Sequence, residues 1–86
     1  MQSLYHAMNA PLFTEAERKY VLFHFGEKQG SFSTALWAAI AAADRQNRYK
    51  LEVSFPGEVA AYIAWTEGDL HERVTEAIKA VTTSRI

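Results

Sequence analysis

Nine consecutive apolar residues, Ala35-Leu36-Trp37-Ala38-Ala39-Ile40-Ala41-Ala42-Ala43, interrupt an otherwise mixed chain and leave no polar face. Alanine is the strongest helix former, so the run reads as helical. A helix on the surface of a small domain shows one polar side, and this one shows none. The pattern predicts a helix covered on nearly all sides, by its own chain or by another copy. Phe32, Leu36 and Ile40 recur every four residues with Trp37 alongside, and Ala35, Ala38, Ala39 and Ala42 leave the remainder flat. A flat surface lets a second helix approach closely. The expected fold is a compact all-α bundle of three to four helices with this alanine-rich helix at its centre.

A chain of 86 residues makes one domain, near the lower limit for folding on a hydrophobic core alone. Its 49% hydrophobic and 13% aromatic content is rich enough to build that core and argues against disorder. There is no cysteine, which excludes a disulfide framework and a thiolate metal site. The start, Met1-Gln2-Ser3-Leu4-Tyr5-His6, lacks the basic, then apolar pattern of a signal peptide. The alanine run is far short of the ~20 residues that cross a bilayer. These features lead us to expect no membrane association and a cytoplasmic location. A formal net charge of −1 shows neither the basic excess of a dedicated nucleic-acid binder nor the acidic excess of a nucleic-acid mimic.

Residues 1–12 read as an N-terminal arm ending at Pro11, within a single domain of residues 1–86. Thr14 and Glu17 have capping-box spacing, which starts a helix over about Glu15 to Phe25 and ends it at Gly26. Its apolar positions are Phe13, Ala16, Tyr20 and Phe23, widened by Val21, Leu22 and Phe25. The polar segment 26–30 is a loop between helices. Ser31 or Ser33 is the expected cap of the alanine-rich helix, which should end near Asp44 to Asn47. Tyr49, Leu51, Val53 and Phe55 alternate with polar residues as in a strand, yet no second strand exists to pair with them. A short helical or irregular connector is the favoured reading. Pro56 suits the first turn of a further helix that ends at Gly68. Asp69 then caps a last helix with the apolar stripe Leu70, Val74, Ala77, Ile78, Val81.

The stretch Gly30-Ser31-Phe32, Ala35-Leu36, Ala39-Ile40, Ala43-Asp44, Asn47, Lys50-Leu51, Phe55-Pro56, Glu58-Val59 and Ala61-Tyr62 resembles small uncharacterised phage and prophage proteins. Their pattern has Ala-Asp, a nearby Asn, Lys-Leu and Phe-Pro-x-Glu-Val at similar spacing. The resemblance covers residues 30 to about 65. It departs at Val53-Ser54, where the pattern has a glycine before the Phe-Pro. What it implies is a helical fold and a phage-type accessory origin, with no activity attached, and in that case the location is the host cytoplasm.

No sequence motif identifies a reaction, a cofactor or a metal site. His6, His24 and His71 stand alone, without a second ligand at helical spacing. Ser33, His24 and Asp44 make a triad on paper only, since no nucleophile-elbow sequence surrounds the serine. A helix-turn-helix reading fails because the second helix has no polar side chain to offer the major groove. The expected function is therefore a non-enzymatic interaction protein, in a phage setting an accessory factor that modulates a host protein such as a defence component. Its expected anchors are Trp37, Tyr49, Tyr62 and Trp65, the residue types that dominate binding energy, and the expected state is a homo-oligomer, most simply a dimer. The alternative is an oligomeric binder of a small nucleotide-like anion, using Arg45, Arg48, Tyr49 and Lys50. Trp37 separates core from surface directly. Trp37→Ala costs about 3–5 kcal/mol in urea unfolding if the ring is in the core, and under about 1 kcal/mol if it is exposed.

Overall fold

The computed structural model describes residues 2–9 and 12–84, which form six helices and no strand. They are α1 (Gln2–Met8), α2 (Glu15–His24), α3 (Ser31–Ala42), α4 (Arg45–Ser54), α5 (Pro56–Thr66) and α6 (Leu70–Ser84). The all-α expectation holds, and the count of three to four is corrected to six. The two additional helices lie in the segments read as an arm and as a connector. Pro11, the expected end of that arm, lies outside the described residues.

Local chemistry sets most boundaries. At the start of α2 the Thr14 hydroxyl accepts from the Glu17 N–H at 3.0 Å, and the Glu17 carboxylate accepts from the Thr14 N–H at 3.0 Å. The other end closes with the Gly26 N–H donating to the Phe23 carbonyl at 3.0 Å and the Glu27 N–H to Leu22 at 2.9 Å. This doubly bonded stop needs a left-handed residue, and Gly26 supplies it at φ 100°. The alanine helix ends earlier than expected. Asp44 is not its tail but the N-cap of α4, accepting from the Asn47 N–H at 2.8 Å. The alternation over residues 49–55 is thus helical: Leu51 turns inward, while Tyr49 and Val53 are 68% and 69% exposed. Neither serine caps α3; Gly30 occupies that position. Pro56 opens α5 as expected. Between α5 and α6, a Cβ on Gly68 would sit 3.1 Å from the Ala64 backbone, so the tight passage favours glycine.

Packing divides into two clusters. Leu4, Met8, Phe13, Val21, Leu22, Leu70 and Val74 join α1, α2 and α6. Tyr20, Leu36, Trp37, Ile40, Val59 and Ala61 join α2, α3 and α5, with Leu51 of α4 and Phe55, the residue between α4 and α5, packed against them. The segment expected as an arm therefore contains a helix, α1, whose Leu4, Ala7 and Met8 are buried. The centre of the molecule is α5, which contacts α2, α3, α4 and α6. This corrects the central placement of the alanine helix. A buried alanine removes little apolar area from water, whereas Val59, Tyr62, Ile63 and Trp65 of α5 each remove much more. Only the inner side of α3 is covered, by Leu36, Trp37 and Ile40; Ala35, Ala38, Ala39, Ala41 and Ala42 are exposed, and Phe32, expected in the core, is 66% exposed.

An ion pair ties the start of α2 to α6. Arg73 donates to Glu17 through Nη2 to Oε2 at 2.8 Å and Nη1 to Oε1 at 3.4 Å. Its Nε donates to Asp69 Oδ1 at 3.1 Å, and its guanidinium lies 5.7 Å from the centre of the Phe13 ring. Glu17 is 9% exposed, so its charge needs this partner. The bond to Arg73 is the largest influence on the Glu17 carboxyl and holds its pKa below the ordinary 4.5. Glu17→Gln keeps an oxygen for the Thr14 cap and loses the charge; Arg73→Ala strands a carboxylate. We expect Arg73→Ala to destabilise by about 1–3 kcal/mol and Glu17→Gln by less. A depressed carboxyl pKa stabilises the fold above the unfolded value and stops doing so as pH falls through the folded value. The advantage of wild type over Glu17→Gln in urea unfolding should thus be constant above pH 5 (about half a unit over the ordinary carboxyl value) and vanish well below 4.5.

Candidate functional site

On α5, Tyr62 and Trp65 are three residues apart and share one side of the helix, both half-buried. Tyr20 of α2 lies between them, with ring centres 6.0 Å from Tyr62 and 6.4 Å from Trp65. Beyond Tyr62, the guanidinium of Arg48 on α4 sits 5.6 Å from the ring centre and its Nη1 lies 3.5 Å from Glu67. Beyond Trp65, the imidazoles of His24 and His71 lie 4.8 Å and 4.9 Å from the indole, and Phe25 meets it edge-on at 6.2 Å. The result is a continuous seam of rings and one guanidinium contributed by α2, α4, α5 and α6. The α2 stop at Gly26 places Phe25, which is 46% exposed, at the rim of this seam.

Trp65 has a structural role as well. It packs against both hydrophobic clusters and is the aromatic residue common to them. Tyr20 is buried at 8% exposure, and burial, with a smaller effect of Tyr62, raises its hydroxyl pKa and keeps it neutral. The inner wall of the seam is therefore fixed by the core, and its outer rim by exposed residues.

The expected anchors are thus divided. Tyr62 and Trp65 converge on the seam. Trp37 lies beneath it at 3% exposure, stacked edge-on against Tyr20 at 5.0 Å, with its indole N–H donating to Gln29 Oε1 at 3.0 Å. The Gln29 amide in turn donates to the Lys19 carbonyl at 2.7 Å, which locks the loop to α2. Trp37 is a core residue, and the expectation that it anchors a partner is corrected on that ground. Tyr49 is exposed on the outer side of α4, away from the core. Sequence reasoning missed Phe25, His24 and His71 as parts of one surface, because only the helix termini bring positions 24, 25, 65 and 71 together.

The four residues considered for an anion do not make a cradle. Arg45, Arg48 and Tyr49 fall along one side of α4, whereas Lys50 lies around the helix among Ala39, Ala42, Ala43 and Leu51. Arg48 is already engaged by Tyr62 and Glu67, with its Nε buried and without an acceptor. Arg45 is the first residue of α4. His24 is packed among rings and the Asp44 carboxylate is used by the α4 cap, so no hydrogen bond links Ser33, His24 and Asp44 among the described residues. Among the same residues no group of three or more His, Asp or Glu is placed to hold a metal, and no helix is long and apolar enough to cross a membrane.

Comparison with known proteins finds no matching family model, curated protein or solved structure. The reading of the site therefore rests on its geometry. The division of the seam into wall and rim predicts a division of energies. Trp65→Ala should cost about 3–5 kcal/mol in urea unfolding, since the ring joins two clusters. Phe25→Ala, at the exposed rim, should cost under about 1 kcal/mol.

Proposed function

We propose that this chain is a non-enzymatic interaction protein that holds another protein against the aromatic side of α5. The observation that carries the reading is the convergence of Arg48, Tyr62 and Trp65 with His24, Phe25 and His71 on one surface. Trp, Tyr and Arg are the residues that most often dominate binding energy, and they do so when clustered on a preformed support. Here the support is rigid because Tyr20 and Trp65 are held by the core. Rings fixed before association lose little conformational freedom on binding.

The resemblance of residues 30 to 65 to small phage proteins supports a setting for this activity, an accessory factor acting on a host protein. The setting and the surface are separable, and the test addresses the surface. Native mass spectrometry of tagged protein, purified gently from a bacterial host, should show a stoichiometric protein partner. Phe25→Ala and His71→Ala leave the fold intact and should each reduce the occupied fraction at least about tenfold, the size of effect expected for a hot-spot rim. A partner that is retained by both variants, or a spectrum containing only this chain, would overturn the reading.

A further inference from the structure

A second surface lies along α6, apart from the aromatic seam. Two adjoining hollows of 460 and 320 Å³ open beside this helix, and Leu12, Ala77 and Ala80 border both. α1 supplies a wall of the first, and the acidic first half of α6 supplies a wall of the second. Joined through their shared residues they form one trough from residue 69 to residue 81, about 18 Å long at the helical rise per residue.

The floor of the trough is apolar and preformed. Leu12 is 73% exposed, more than any other large apolar side chain among the described residues. Its backbone is nonetheless anchored. The Leu12 carbonyl accepts from Arg73 Nη1 at 3.5 Å, and the neighbouring Phe13 is buried beneath the Arg73 guanidinium. The short side chains of Ala77 and Ala80 let a second backbone come close, since the distance between packed helices is set by the side chains at their contact.

Charge at the rim selects the occupant. Asp69, Glu72 and Glu76 line the trough, and its one cation, Arg73, is already engaged by Glu17 and Asp69. Glu76 lies 4.0 Å from Lys79 with both side chains exposed, an arrangement worth little in water. Glu72 has no ion pair among the described residues. A nucleic acid or an anionic membrane surface would meet these carboxylates with like charge. Glu72 and Glu76 stand about one turn apart, the spacing at which a helix laid beside α6 presents two cations from its own successive turns. We propose that the trough docks a basic amphipathic helix of a partner protein. The apolar stripe of that helix covers Leu12, Ala77 and Ala80, and its lysines or arginines pair with Glu72 and Glu76. This is recognition of a helix in a groove, with the floor giving affinity and the rim giving choice of partner.

The test titrates the full chain against a fluorescein-labelled peptide of about 14 leucines and lysines, patterned as one amphipathic helix long enough to fill the trough. Fluorescence anisotropy should show saturable binding that weakens at least about tenfold between about 0.05 and 0.5 M salt. A peptide of the same pattern with glutamate in place of lysine should not bind. Glu72→Gln combined with Glu76→Gln should weaken binding at least about tenfold, and Leu12→Ser about fivefold. Glu15→Gln combined with Glu52→Gln, the same change of charge elsewhere, should alter it less than about twofold. All five side chains are exposed, and circular dichroism confirms that each variant is folded. No binding, an equal loss in the Glu15 and Glu52 control, or indifference to Leu12→Ser would overturn the proposal. Self-association of the chain that Leu12→Ser abolishes would also overturn it, because a second copy would then be the occupant. The aromatic seam is on different residues, so its own test is unaffected by that result.

Discussion

The carboxylate of Glu17 has two neighbours that the fold needs at once. One oxygen closes the backbone at the start of α2, and both face the guanidinium of Arg73 on α6. Leu12 and Phe13 lead into this point, and the Arg73 guanidinium covers the Phe13 ring. Because Phe13, Val21, Leu22, Leu70 and Val74 form one cluster, the ion pair sets the register of α6 on α2 at the edge of the core it encloses. α1 is then bracketed between α6 and the Arg18 side chain, which donates to the Met8 carbonyl at 2.9 Å. Fixing α2 also fixes Tyr20, and with it the second cluster and the wall of the aromatic seam.

Two apolar helices share this molecule and are used differently. α3 is helical because alanine favours the helix, and it stays largely at the surface because exposed alanine costs little. α5 has fewer alanines and more bulk, and every neighbour packs on it. Hydrophobicity summed over a segment does not separate these cases, since an alanine run scores well without the area to drive burial. Side-chain volume does. Between Glu58 and Glu67, Val59, Tyr62, Ile63 and Trp65 give α5 apolar bulk on several sides. That distribution suits a helix surrounded by four others.

What the chain discloses without its structure follows from how local each device is. The Thr14–Glu17 cap, the Gly26 stop, Pro56 at the start of α5 and the stripe from Leu70 to Val81 act within one or two turns, and all were legible. Asp44 was misread because the alanine run masked the break: the residue looks like a tail until its side chain is seen accepting from Asn47. Phe32 looked like core because spacing by four from Leu36 and Ile40 ignores which residues lie opposite. Of the site, Tyr62 and Trp65 were legible as aromatic candidates. Their clustering with His24, Phe25 and His71 depends on three helix ends meeting, and no local pattern encodes that. Glu17 was identified as a cap, while its partner 56 residues away was beyond any periodicity argument.

The aromatic seam depends on one arrangement, with α5 as the buried support and α3 as an outer helix. Amide hydrogen exchange at micromolar protein concentration measures that arrangement residue by residue. The account predicts slowest exchange in the Val59–Ile63 segment of α5 and the facing Tyr20–Leu22 segment of α2. The amides of α3 should exchange at least about tenfold faster, since that helix is covered on its inner side alone. Slowest exchange in α3, with α5 opening readily, would contradict the account and return the alanine helix to the centre of the fold.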